Sequence, residues 1–293
     1  FQRIRLSGQV DFVIGPYNSS EVLAVAPLAE ASKTILIVPG AQSDEISDAG
    51  EYIFRIIHNA RQEAPLFAAY LAARFPEPMS FLAIETAFTE SYLRHFEPAW
   101  RAKGRTLGNI ERYLPETTDF RPHLLRLKKS GAKQVLLIAT PLQIGHVLKQ
   151  TAEGGLDMRY FAIGVEGPEI VQIAGSHAEG LIYPYSYDPD TSEAHVRRFS
   201  RKYRERFSAT PDTLAANTYD AIMLLHSCLS ESGPEVRKVK SCLYGVRGYA
   251  GASGTFDIDS KGDAVKQLMV KTIRGGAFVK LESLREPRTS DGR

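Results

Sequence analysis

Cysteine, tryptophan and methionine are scarce in this 293-residue chain, at two, one and four residues. Cys228 and Cys242 form no CxxC pair and have no histidine at zinc-ligand spacing, so a cysteine-based metal site is excluded. Two readings of them stay open: one disulfide in an oxidising compartment, or two buried thiols. No apolar run approaches the ~20 residues that a membrane-spanning helix needs. No signal-like stretch follows Phe1, which leaves the compartment open. Neither charge sign dominates: 36 Lys plus Arg face 34 Asp plus Glu, a net +2, so no strong field draws nucleic acid. The densest basic run, residues 197–206, carries Phe199 and Tyr203 at helical spacing, with Phe207 next in line, and reads as the wet face of an amphipathic helix. No strand is followed by G-x-G-x-x-G or a Walker A loop, and no nucleophile elbow or metal-spaced His pair occurs. Nucleotide and hydrolytic enzymes are therefore disfavoured, and neither cofactor nor metal is implied.

What is present is an α/β alternation. The length suits two lobes of about 100–150 residues each, and 43% hydrophobic with 24% charged residues is ordinary for a globular protein. Strands are predicted at 10–14, 34–38, 52–56, 80–84, 134–139, 159–163 and 180–183. The runs DFVIG, TILIV and QVLLIA are nearly continuously apolar, as in strands covered on both faces. Between them lie helical patterns at 63–75, 119–130 (ending at Gly131) and 142–152 (ending at Gly154-Gly155). Strand–helix–strand repetition with short connections implies doubly wound parallel sheets. After Tyr187 three helices follow in succession, at 192–207, 213–230 and 235–246. Strands at 254–258, 267–273 and 277–281 close the pattern, and residues 282–293 form a polar tail.

In open parallel sheets, ligands bind beyond the carboxyl ends of the strands. After the first strand comes Gly15-Pro16-Tyr17-Asn18-Ser19-Ser20, opening a helix whose free N–H groups suit a carboxylate. After the second comes Pro39-Gly40-Ala41-Gln42-Ser43. Glu85, Thr86 and Phe88 follow another strand, Thr140 another, and Glu166, before Gly167-Pro168, a further one. Each has a plainer reading. Ser19 or Ser20 serves as a helix cap, Glu166 as a solvated loop carboxylate, and Tyr17 and Phe88 as packing. An anion site and a lone carboxylate at strand ends together match a zwitterion, with Glu166 on its ammonium and Gly167-Pro168 letting it approach.

The segments VDFVIGPYNSS, ILIVPGAQSDEIS, YIFRI, TTDFRPHLLRLKKSGAKQVLL, IGVEGPEIVQIAGSHAEGLI and NTYDAIMLL resemble, in order and across nearly the whole chain, the type I periplasmic solute-binding proteins. The likeness is to the branched-chain amino-acid (Leu/Ile/Val) receptor branch of ABC uptake systems. It implies that Ser19 binds the ligand carboxylate, with Tyr17 and Asn18 lining the pocket. Gly40 and Ala41 match backbone contacts, while Gln42 stands where a hydroxyl is usual, with Ser43 next. Phe88 matches an aromatic wall of the second lobe, Glu166 the acid that holds the ammonium, and Thr140 replaces a tyrosine. The departures at Gln42 and Thr140 bear on which ligand is bound. The resemblance further implies two lobes joined by three crossovers near Arg55, Tyr185 to Tyr187 and Thr255: residues 1–55 plus 188–252, and 56–187 plus 253–281. Closing the lobes on the solute would present them to a membrane permease outside the cytoplasm. Relatives carry two further βα units before VDFVIGP, which are expected to be missing here, with FQRIRLSG as the end of a helix. A ligand-sensing regulator or receptor domain of the same fold is the alternative, an α/β enzyme the distant one.

Overall fold

The computed structural model describes residues 10–164 and 166–284. The elements run β1 (Phe12–Ile14), α1 (Ser19–Ala31), β2 (Ile35–Val38), β3 (Ile53–Arg55), α2 (Ala60–Arg74), β4 (Met79–Ile84), α3 (Ala87–Ala102) and β5 (Leu107–Tyr113). There follow α4 (Arg121–Lys129), β6 (Gln134–Ile138), α5 (Pro141–Glu153), β7 (Arg159–Ile163), α6 (Pro168–Ala174) and β8 (Ile182–Tyr185). The last are α7 (Ala194–Phe207), α8 (Thr213–Ser232), α9 (Val236–Tyr244), β9 (Tyr249–Gly251), β10 (Gly254–Ile258), β11 (Ala264–Lys266), β12 (Met269–Arg274) and β13 (Ala277–Ser283). The chain divides into two compact units. Among the described residues, the first holds 10–61, Thr86–Ser91 and Ser186–Gln267; the second holds Gln62–Glu85, Tyr92–Tyr185 and 268–284.

In the first unit β1, β2 and β3 pair in parallel in that order. Successive side chains of a strand point to opposite faces, and β2 shows the consequence. Leu36 and Val38 pack with Val22, Ala26 and Ala29 of α1. Ile35 and Ile37 join Leu224 of α8, Val239 and Leu243 of α9, and Phe256 of β10. One continuously apolar strand thus serves two cores, which is the doubly wound arrangement. Cys228 of α8 and Cys242 of α9 are joined as a disulfide with their Cα atoms 5.7 Å apart.

The second unit is built on one seven-stranded sheet in the order β13-β12-β8-β7-β6-β4-β5. Strands β4 to β8 are parallel, while β12 and β13 run antiparallel at one side. Phe81 of β4 meets Phe96 of α3 edge-on at 5.4 Å, and Phe96 stacks on Trp100 at 5.7 Å. Among the described residues no helix is long and apolar enough to cross a membrane.

Three expectations are corrected. The last crossing lies at Gln267–Leu268 rather than near Thr255, because β10 pairs with β9 and β11 and so stays with the first unit. Thr86–Ser91 belongs to the first unit rather than the second lobe; Asp44 N donates to Ser91 Oγ at 2.9 Å and Ser43 Oγ to Ala87 O at 3.5 Å. Helix α3 and strands β5, β9 and β11 were not predicted. The expected polar tail begins inside β13, and its residues 285–293 lie outside the described chain, as does FQRIRLSG.

Candidate functional site

In the first unit, the loops after β1 and β2 are tied together. Ser43 N donates to Ser19 Oγ at 3.2 Å, with Ser19 7% exposed at the first position of α1. Asn18 occupies the N-cap without a side-chain cap bond; its Nδ2 instead donates to Glu21 Oε1 at 3.2 Å. An uncapped helix start keeps its first N–H groups for an anion. The plainer reading of this motif as a side-chain cap therefore does not describe α1. Tyr17 lies against Gly40, where any Cβ would overlap its ring. This close approach is what glycine permits there. Ala41 is buried. Gln42 spends its side-chain amide on His58 Nε2 at 2.8 Å. Phe88 is half-buried in the first turn of α3.

A residue not singled out from the sequence holds the second loop in place. Arg55, at 0% exposure, donates to Ser43 O at 2.7 Å, Ala41 O at 3.4 Å and Ser47 Oγ at 2.6 Å, and pairs with Asp263 at 2.7 Å. Its signal in the sequence is a lone charge inside the strand run YIFRI. Charged residues are almost never fully buried unless paired. Behind Pro39, Asn217 Nδ2 donates to Pro39 O at 2.9 Å, and Lys266 Nζ donates to Asn217 Oδ1 at 2.6 Å and to Ser253 Oγ. Burial lowers the Lys266 ammonium to about 7, against the opposing pull of Asp220. Burial in turn raises the Asp220 carboxyl, although Ala252 N and Ser253 N donate to it.

The second unit presents Thr140 after β6 and Glu166 after β7. Thr140 is the N-cap of α5 and closes a capping box with Gln143: Gln143 N donates to Thr140 Oγ1 at 3.4 Å, and Thr140 N to Gln143 Oε1 at 3.1 Å. This helix start is already satisfied, unlike that of α1. Gly167 is buried, and a Cβ on it would run into Pro141 and Glu169. Its smallness therefore serves packing onto the start of α5.

Glu166 is held at φ 121°, in the region that favours glycine, at a cost of about 1–3 kcal/mol. Its carboxylate accepts from Tyr183 Oη at 2.9 Å and forms an ion pair with Lys271 Nζ. Tyr183 and Lys271 are cross-strand partners on β8 and β12. Lys271 is 2% exposed, and its Nζ lies over the Tyr185 ring, 5.3 Å from the centroid. Glu166 is thus no solvated loop carboxylate. The sequence reading missed Lys271; the signal was again a single cation inside an apolar strand, in LMVKTI.

Comparisons with known proteins agree with this architecture. A sequence model of the family described as periplasmic binding protein matches residues 1–277. The chain is 24% identical over 261 residues to the leucine-, isoleucine-, valine-, threonine- and alanine-binding protein of Pseudomonas aeruginosa, covering 87% of this chain and 69% of that one. Against curated relatives, it spans from about half to about two thirds of their length, 52% for one and 69% for another. Among solved structures, the leucine-binding protein LivK of Thermotoga maritima superposes with a TM-score of 0.86 at 22% identity, over 94% of this chain and 80% of that one. An ABC-transporter solute-binding protein of R. palustris, in complex with benzoate, gives 0.88 at 18% identity, over 96% and 78%.

Proposed function

The chain belongs to the periplasmic binding protein family, and from that premise we propose that it is the extracytoplasmic solute-binding component of an ABC uptake system. Its solute is an amino acid or a similar small carboxylate, handed on to a membrane permease. The observation that carries this reading is the start of α1: no side chain caps it, and buried Ser19 sits there bonded to the neighbouring loop. Free N–H groups, the positive helix end and a hydroxyl make a carboxylate seat. Tyr17, Asn18, Ser19, Gly40, Ala41 and Gln42 form that seat and its surroundings, with Phe88 as an aromatic wall from the same unit. Within the second unit, Thr140 and Glu166 are the proposed contacts. The relative from Pseudomonas is named for leucine, isoleucine, valine, threonine and alanine, and the R. palustris structure holds benzoate; all are small carboxylates.

A thermal-shift screen of amino acids and aromatic carboxylates, followed by calorimetry, tests the reading, because a ligand bound only by the folded state raises the melting point. At least one of them is expected to do so. Ser19→Ala is expected to weaken binding about tenfold, the loss of one hydrogen bond to a charged group, since the backbone N–H groups remain. A panel in which nothing shifts the melting point sinks the proposal.

A further inference from the structure

We propose that the solute is a carboxylate without an ammonium group, and that Lys271, through its ion pair with Glu166, sets this specificity. The proposal rests on the solute-binding reading above and narrows it. A lone buried glutamate at the end of β7 would be a seat for an ammonium. Here the Glu166 carboxylate is already paired with Lys271 Nζ and accepts from Tyr183 Oη at 2.9 Å. The pair is built into the sheet rather than improvised at the surface: Lys271 and Tyr183 are register partners in adjacent strands, and Lys271 is 2% exposed.

Two consequences follow from the charge count. The Glu166–Lys271 pair is neutral as a unit, so it offers a ligand ammonium no net anion. An ammonium placed on Glu166 would also stand a few ångström from the Lys271 ammonium. Like charges at that range in a half-buried site cost on the order of tenfold to a hundredfold in affinity. A carboxylate with an apolar or aromatic body meets no such penalty. The solute class is therefore aliphatic or aromatic monocarboxylates.

Isosteric pairs differing in the ammonium give the test: L-leucine against 4-methylpentanoate, and L-phenylalanine against 3-phenylpropanoate, measured by calorimetry on the full chain. The plain carboxylate is expected to bind at least tenfold more tightly in one pair or both. In Lys271→Met, which takes the cation away from Glu166, the ratio is expected to move at least tenfold toward the amino acid. Should that variant fail to fold, Lys271→Met combined with Glu166→Gln removes both charges and with them the repulsion of the ammonium, so the preference for the plain carboxylate is expected to fall about tenfold; a preference unchanged from the parent's overturns the proposal. An amino acid binding more tightly than its ammonium-free partner in the parent overturns this proposal and leaves the solute-binding reading standing. Binding of amino acids, of aromatic carboxylates or of both, with no tenfold preference in either pair, also overturns it alone. If none of these four solutes binds, this proposal falls, and the solute-binding reading is decided by the wider thermal-shift panel.

Discussion

Arg55 and Asp263 lie 208 positions apart in the sequence and 2.7 Å apart in the fold, with side chains 0% and 3% exposed. Asp263 Oδ2 also accepts from Ser47 Oγ at 2.6 Å and from Asn59 Nδ2 at 2.9 Å, so the pair is the centre of a buried polar network. Arg55 extends that network to the carbonyls of Ala41 and Ser43, which ties the shape of the loop after β2 to the residue just before β11.

Arg55→Met should therefore act twice. It leaves Asp263 buried without its cation, at about 3–5 kcal/mol of stability, and it releases the Ala41 and Ser43 carbonyls. Urea denaturation reads the first effect. Calorimetry at a temperature where the variant is still folded reads the second, expected as a loss of about tenfold or more. A variant with parent-like affinity would show that the loop holds its form without Arg55.

Breaking the second buried pair gives a similar stability loss with a different signature. Lys271→Ala leaves the Glu166 carboxylate without its cation at a position 10% exposed, and about 3–5 kcal/mol should be lost in urea denaturation. Removing both charges, in Lys271→Met with Glu166→Gln, should restore most of it, because no buried ion then lacks a partner. A double variant as unstable as the single one would contradict the pairing.

The bridge between Cys228 and Cys242 closes a loop of 14 residues' separation, which restricts the unfolded chain by about 3 kcal/mol. Reductant should lower the melting temperature of the parent and leave that of Cys228→Ser/Cys242→Ser unchanged. Thiol titration of the denatured, unreduced protein should find no free thiol.

Lys266 makes stability depend on pH in a defined direction. Its folded value of about 7 lies below the ordinary 10.5, so between those two the unfolded chain binds the extra proton. Stability then rises with pH in that window, by at most about 1.4 kcal/mol per unit from this group, and the gain is lost as pH falls toward 7. Subtracting the curve of Lys266→Met from that of the parent isolates it. The difference should grow in the parent's favour from pH 7 to 9.5; a flat difference would show Lys266 keeping its proton in the fold.

Much of this molecule is determined locally. The continuous apolar run of β2 demands cover on both faces, and residues 159–163 and 254–258 were legible as strands to the residue because their ends coincide with polar or glycine positions. The positions of the loops after β1, β2 and β7 were legible too, because the strands before them end just before Gly15, Pro39 and Gly164. Helix α3 was not: Pro98 reads as a breaker, although Tyr92, Phe96 and Trp100 form its buried stripe. Strand β5 carries Asn109, Glu111 and Arg112 at the edge of its sheet, so it lacks the apolar signature of the inner strands.

The charges were decided elsewhere. Glu166 in isolation looks like a carboxylate waiting for a cation, and Lys271, 105 positions later, looks like a stray charge in a strand. Only the antiparallel pairing of β12 on β8 brings Lys271 beside Tyr183 and onto Glu166. Periodicity and turn chemistry act over a few residues, so most of the strands and helices can be read from the sequence. Coulomb energy and desolvation depend on which groups meet through space, and that is set by strand order and register, which the sequence expresses only once the sheet has formed.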